Sequence, residues 1–281
     1  SNGGFVLDVN ETPDPEEFED AYMRYANARV CPPRPAEKTY RVRGTQEPFY
    51  TLNVIDGIMS VSAVQKVAKQ YQASITEYLN AVLLYSLLQK QEHDFHLRLR
   101  PVRIAMPVNL RRFFPSKTLR NFITMVYPSI DPRLGDYTFE EIVTQVHHYM
   151  RYYINSKFLR GDITTNASTQ RNPLIRIVPL FLKDFVVRQF YQRVQDKNSS
   201  AGLTNMGAIR VPDDMKPYLE RFDIYMGIPY SQRTNCAIVS FEDTLTVNFA
   251  SCIIEADVER RFFQKLVEDG IPVTIESNRE L

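Results

Sequence analysis

Net charge is almost missing from this sequence: 34 lysines and arginines stand against 33 aspartates and glutamates, leaving +1 at neutral pH. Without a basic surplus there is no global field to draw the chain onto nucleic acid, and no polybasic helix to hold it on a membrane surface. Cysteine is scarce too. Cys31, Cys236 and Cys252 are too few and too scattered for a disulfide framework or a CxxC metal site, which fits a reducing, cytoplasmic compartment. Long apolar runs are lacking: the densest, Leu174 to Leu182, is broken by Arg176 and Pro179 and falls short of the roughly 20 residues a membrane span requires. The start of the chain turns acidic from Asp14 to Asp20, unlike a secretory signal. There is no GxSxG elbow, Walker loop, GxGxxG or HExxH, so the common hydrolase, nucleotide and metalloprotease constellations are excluded.

What is present can fold. With 281 residues, 44% hydrophobic and 24% charged, the chain can bury a sizeable core as one large domain or two modest ones. Residues 1–48 carry six prolines, Pro13, Pro15, Pro32, Pro33, Pro35 and Pro48, which deny them long regular elements. One short amphipathic turn is expected from Glu16 to Ala26, with Phe18, Tyr22 and Tyr25 on one face. From Thr51 to Ile58 the pattern predicts a strand closed by Asp56-Gly57 turn chemistry, then a helix capped by Ser60 or Ser62. Ser74-Ile-Thr-Glu77 and Thr138-Phe-Glu-Glu141 are capping boxes, each opening a helix with a broad apolar stripe.

Arg103 to Val108 and Phe122 to Ile130 read as strands, with Pro107 and Pro128 marking kinks or edges. A polar loop is expected from Asp162 to Arg171, followed by a hydrophobic helix from Asn172-Pro173. Leu203 to Val211 and Arg221 to Ile228 read as extended. Ala237 to Phe241 and Leu245 to Phe249 alternate with period two around Glu242-Asp-Thr244, a hairpin. A last helix from Glu255 to Asp269 stops at Gly270, and a strand runs from Pro272 to Ser277. The expected class is α/β, a mixed sheet with packed helices.

Three segments carry a family resemblance: Arg103-Ile-Ala-Met-Pro-Val-Asn-Leu-Arg-Arg112, then Arg120-Asn-Phe-Ile-Thr-Met-Val126, then Leu203-Thr-Asn-Met-Gly207. In this order and spacing they resemble the C-terminal half of the chloramphenicol acetyltransferase-like superfamily, which holds alcohol acetyltransferases, wax ester synthases and condensation domains. The resemblance covers roughly residues 50 to 277. It implies a two-lobed fold with a tunnel between the lobes, coenzyme A thioester entering one mouth and the acceptor the other. On this reading residues 1–48 are a linker or the remnant of a missing N-terminal lobe, and 49–281 form the C-terminal acyltransferase-like lobe.

The same resemblance implies site residues. Asn121, Thr124, Thr204, Asn205 and Gly207 become candidates for the tunnel wall, and Arg111 and Arg112 for a contact with the other lobe or with a coenzyme A phosphate, which a guanidinium fork fits well. Acyl transfer needs a base to take the acceptor's proton. In the superfamily that base is the second histidine of HHxxxDG, and no such motif is present. His147-His148 lacks the following Asp-Gly and falls on a helix, where surface histidines are expected. His93-Glu-Asp-Phe-His96 has i, i+3 spacing but no obvious third ligand, so no metal is expected. The implied activity is acyl transfer from acyl coenzyme A, a co-substrate and not a resident cofactor, to an alcohol, with the catalytic histidine outside this sequence. The implied partners are the N-terminal lobe, acyl coenzyme A or a phosphopantetheine carrier, and a second copy through self-association of the exposed lobe face. Two alternatives stay open: a condensation-type domain using carrier-protein thioesters, and a non-catalytic binding module with the same half-fold.

Overall fold

The computed structural model describes residues 12–29, 37–48, 51–94, 98–171, 198–228 and 232–279, with the side chains of 169–171 excepted. Its centre is an eight-stranded mixed sheet. The strands are β1 (Asn53–Ser60), β2 (Val102–Asn109), β3 (Ile123–Val126), β4 (Ser129–Ile130), β5 (Ala201–Ala208), β6 (Thr234–Phe241), β7 (Thr244–Ser251) and β8 (Thr274–Ser277). Their order is β3-β2-β5-β6-β7-β1-β8, with β4 also on β2. β2 with β5 and β5 with β6 are parallel; the other pairs are antiparallel. The strand expected from Phe122 to Ile130 is divided, because Pro128 has no N–H to continue the ladder; β3 and β4 pair with successive parts of β2.

Local sequence explains most helices. Ser60 accepts from Ala63 N–H to start α2 (Val61–Gln70), and both bonds of each capping box form, at Ser74 for α3 (Ile75–His93) and at Thr138 for α4 (Phe139–Tyr153). α3 is the central helix. Tyr78, Leu79, Ala81, Val82, Leu83, Leu84 and Leu87 are all fully buried, because α2, α4, the C-terminal helix α6 (Asp257–Glu268) and strand β2 surround it. α6 closes the core against the far half of the sheet, where Phe249 meets Phe262 and Phe263 edge to face.

Four expectations are corrected. Asp56 and Gly57 lie inside β1, paired with both β7 and β8, and not in a turn. The polar stretch from Asp162 to Arg171 belongs to α5 (Ser156–Arg171), with short α1 (Ala21–Tyr25) packed beside it. Leu159, Ile163 and Ala167 supply a buried stripe at four-residue spacing, Asn155 caps Lys157 and Phe158, and the hydroxyls of Thr164 and Thr165 bond back to carbonyls four residues earlier. Residues 221–228 form no strand. The helix expected from Asn172 lies outside the described residues, as do Cys31 and His96. The stretch read as a linker or remnant is fastened to the sheet where described: Ala21, Ala26, Tyr40 and Val42 are buried, and Gln46 bridges to Ile253. Its amphipathic turn is a 3-10 turn followed by α1, and Phe18 is left exposed.

Opposite the helices, residues 219–228 cross the sheet as a strap tied by polar side chains. Thr246 Oγ1 donates to Phe222 O, Ile224 N to Asn248 Oδ1, and Tyr225 Oη to Asp56 Oδ2. Asn248 Nδ2 donates to Asp56 and Asp223, and Arg221 bridges Asp223 to Glu276. Burial pushes the Asp56 carboxyl above the usual aspartate range; hydrogen bonds from Asn248 and Tyr225 pull it back, and nearby Asp223 pushes it further up. A carboxyl raised by folding holds its proton more tightly in the folded state. Its contribution is therefore most favourable at low pH and is lost as pH rises from the ordinary aspartate value through the raised one. Asp56→Asn, which cannot ionise, is expected to gain stability relative to wild type over that rise. Urea unfolding of both proteins at a series of pH values checks this; a difference that stays constant with pH contradicts it.

Candidate functional site

The two parallel pairs meet at β5, and there the sheet forks. β2 and β5 are paired only at Ile104 with Ala201 and Ala105 with Gly202, yet β2 continues to Asn109 and β5 to Ala208. β2 is drawn away by β3, which pairs with Met106 to Asn109, while β5 stays with β6. A crevice between the carboxyl ends of parallel strands is where open α/β sheets take ligands.

The β5 side of the fork is built by Asn205 and Gly207. The β5–β6 register shifts between these two residues, a bulge that leaves Met206 without a partner and 55% exposed. Gly207 has φ +75°, and a Cβ there would meet no atom within 4 Å. The constraint is backbone conformation, not space. Asn205 secures the bulge with both ends of its amide: Oδ1 accepts from Gly207 N at 2.8 Å and Nδ2 donates to Thr76 Oγ1 on α3 at 2.8 Å. The Gly207 N–H is taken, and of the Asn205 amide one Nδ2 hydrogen is left beyond the bond to Thr76. What this segment offers is an open backbone corner. The Thr204 hydroxyl, on the opposite face from Asn205, has no partner among the described residues.

Beneath the fork lies Asn80. It is fully buried on α3, its Nδ2 donates to Thr76 O and Met106 Sδ, and its Oδ1 has no hydrogen-bond partner among the described residues. An unsatisfied buried acceptor beside β2 is a polar feature that the apolar stripe of α3 conceals in the sequence. Thr76 was equally hidden, as an inner member of a capping box.

The β2–β3 side separates the two arginines. Arg111 folds back, its guanidinium donating to Thr118 O and Arg120 O at 2.6 Å each, so it shapes the 113–122 loop. Arg112 is exposed and makes no hydrogen bond or ion pair among the described residues. Thr124 is buried and Asn121 exposed, with Phe122 fully buried against Tyr22 and Tyr25. Asn121 and Thr124 thus point to opposite sides of the β3 segment.

The described histidines are elsewhere, on the helices. His147, partly buried on α4, brings Nδ1 to 3.3 Å from Glu77 Oε1, an electrostatic contact whose geometry is too poor for a hydrogen bond. Glu77 projects from α3 about 100° around from Thr76 and is already held by the Ser74 capping box. His148 is exposed. His93 ends α3 with Nδ1 on the Gln89 carbonyl, and Asp94 is engaged by Tyr40 and Lys90. Among the described residues no three histidine, cysteine or acidic side chains converge as a metal site. No described helix is long and apolar enough to cross a membrane.

No family model and no curated protein matches the sequence. Solved structures do. The trichothecene 15-O-acetyltransferase TRI3 of Fusarium sporotrichioides superposes with a TM-score of 0.54 at 15% identity, over 81% of this chain and 48% of its own. The fold is chloramphenicol acetyltransferase-like. The nonribosomal peptide synthetase FmoA3 superposes at 0.52 with 11% identity, over 84% of this chain and 23% of its own. The chain therefore spans about half the length of the acetyltransferase and less than a quarter of the synthetase. Two of the three resembling segments lie on β2 and β5, the neighbouring strands that pair at only two positions.

Proposed function

We propose that residues 49–281 are the C-terminal lobe of an acyltransferase that moves an acyl group from coenzyme A to an alcohol. The observation that carries this reading is the Asn205–Gly207 bulge, anchored on Thr76 at the carboxyl end of β5, where a thioester can lie close to backbone. In the transfer, a base takes the alcohol's proton, the oxygen attacks the thioester carbonyl, and the thiolate of coenzyme A leaves. This lobe supplies the wall: the open corner at Gly207, the hydroxyl of Thr204, and Arg112 for a phosphate. The base is a histidine of the N-terminal lobe.

A condensation-type reading, with the donor on a carrier protein, is supported by the synthetase superposition. The two differ at Arg112. Backbone amide shifts can be followed while acetyl coenzyme A or acetyl pantetheine is added. Both thioesters are expected to shift Thr204 and Gly207, and only acetyl coenzyme A, which carries the nucleotide phosphates, to shift Arg112. Shifts at the bulge without any at Arg112 favour a carrier protein as donor. Silence at the bulge with both thioesters removes the acyltransferase reading and leaves a binding module.

A further inference from the structure

The two edges of the sheet are treated differently. At β3, the Tyr22 hydroxyl caps the edge, accepting from Ile123 N and donating to Ile123 O. At β8 no second strand or side chain covers the edge among the described residues, and all four of its residues are exposed. An uncovered strand edge is a template for another strand, and folded proteins ordinarily blunt it.

Beside β8 runs a groove of about 610 Å³ between α6, β1 and β8. Phe263, Val267, Val273 and Ile275 line it, with Val267 57% and Ile275 48% exposed. The buried Glu259 in its wall is taken by Thr234 Oγ1 at 2.6 Å, so the groove offers apolar surface and no free buried acid. Along its rim α6 presents Arg260, Gln264 and Glu268, all exposed and four residues apart on one row. Read against itself in the antiparallel sense, that row is complementary: positive meets negative at both ends and the neutral residue meets itself.

We infer that two copies of the chain pair antiparallel through β8, with Arg260 of each α6 facing the partner's Glu268. A twofold axis perpendicular to the sheet keeps both α6 helices on one face and makes any such contact self-complementary. Side-chain alternation also selects the register. Ile275 lines the groove while Glu276 turns to the strap side, where it pairs with Arg221. Centring the axis on Ile275 sets it opposite the partner's Ile275 on the groove side and sets Thr274 opposite the partner's Glu276. Centring on Glu276 would instead set like charges against each other. The inference is independent of the acyltransferase reading and uses an edge distant from the β2–β5 fork.

Sedimentation equilibrium on the intact chain tests it, with wild type, Arg260→Glu, Glu268→Arg and the double reversal compared at low and high salt. Wild type is expected to be a dimer. Each single reversal sets like charges against each other twice per dimer and is expected to weaken association by at least about tenfold, while the double reversal restores it. Both residues are exposed, and matching circular dichroism spectra will show that the variants fold. A wild type that is monomeric at every concentration overturns the inference. So does a dimer that neither reversal weakens, which would have formed on another face such as the open fork, and so does a double reversal that stays dissociated.

Discussion

Gly57→Val will destabilise the chain by about 3 kcal/mol or more, seen as a fall in the urea midpoint. Gly57 sits in the middle of β1, between β7 and β8, where a glycine is normally a weakness. Here it makes room. A Cβ at this position would fall 2.1 Å from Phe263 Cε1 and within 3 Å of Cζ and Cδ1 as well. Phe263 is itself held, with its ring edge to face against Phe249 and Phe262 and only 7% exposed. The ring cannot move without opening the contact between α6 and the sheet. Phe263→Ala alone is expected to cost about 3–5 kcal/mol through the cavity it leaves. Because an alanine methyl at 57 would partly fill that cavity, Gly57→Ala with Phe263→Ala should cost less than the sum of the two by at least about 1 kcal/mol. Additive costs would show that Gly57 and Phe263 do not compete for one space.

The same glycine shows where sequence reading succeeds and where it stops. Signals that act within a few residues were legible: the Ser74 and Thr138 capping boxes, the Glu242-Asp243 hairpin turn, and Gly270 at φ +84° behind the last helix. Asp56-Gly57 misled because a glycine that admits an aromatic ring from a helix two hundred residues later looks, locally, like a turn. α5 was missed for a related reason. Thr164, Thr165 and Ser168 satisfy their hydroxyls on the helix's own carbonyls, and Leu159, Ile163 and Ala167 bury one stripe of it. At the candidate site, it was the family resemblance that pointed to Asn205–Gly207 and to the arginine pair. Thr76 and Asn80 could not be found that way, since they matter only because the β2–β5 fork opens above α3. Nor could the different fates of Arg111 and Arg112, which depend on two carbonyls presented by a loop.

The largest effect expected on activity is its absence. Supplied with acetyl coenzyme A and an alcohol, the chain alone should form no ester above the buffer blank. A positioned general base contributes about 10²–10⁴-fold to proton transfer, and the described histidines are poorly placed to act as one at the fork. His93 is bonded to a backbone carbonyl, His148 is exposed on α4, and His147 leans on Glu77 around the helix from Thr76. Of these, the His147–Glu77 pair alone resembles an imidazole oriented by a carboxylate, and it is therefore the rival to eliminate. The groups described at the fork are an anchored amide, an open glycine, a threonine hydroxyl and an arginine without a partner among the described residues. Orientation without a proton acceptor leaves the alcohol a weak nucleophile.

Thiol release from acetyl coenzyme A across a series of alcohols, followed for wild type and His147→Ala side by side, tests this account most directly. It predicts two traces that coincide with the blank at every alcohol concentration. Saturable, alcohol-dependent thiol release by wild type that disappears in His147→Ala would place the base within this chain and contradict it.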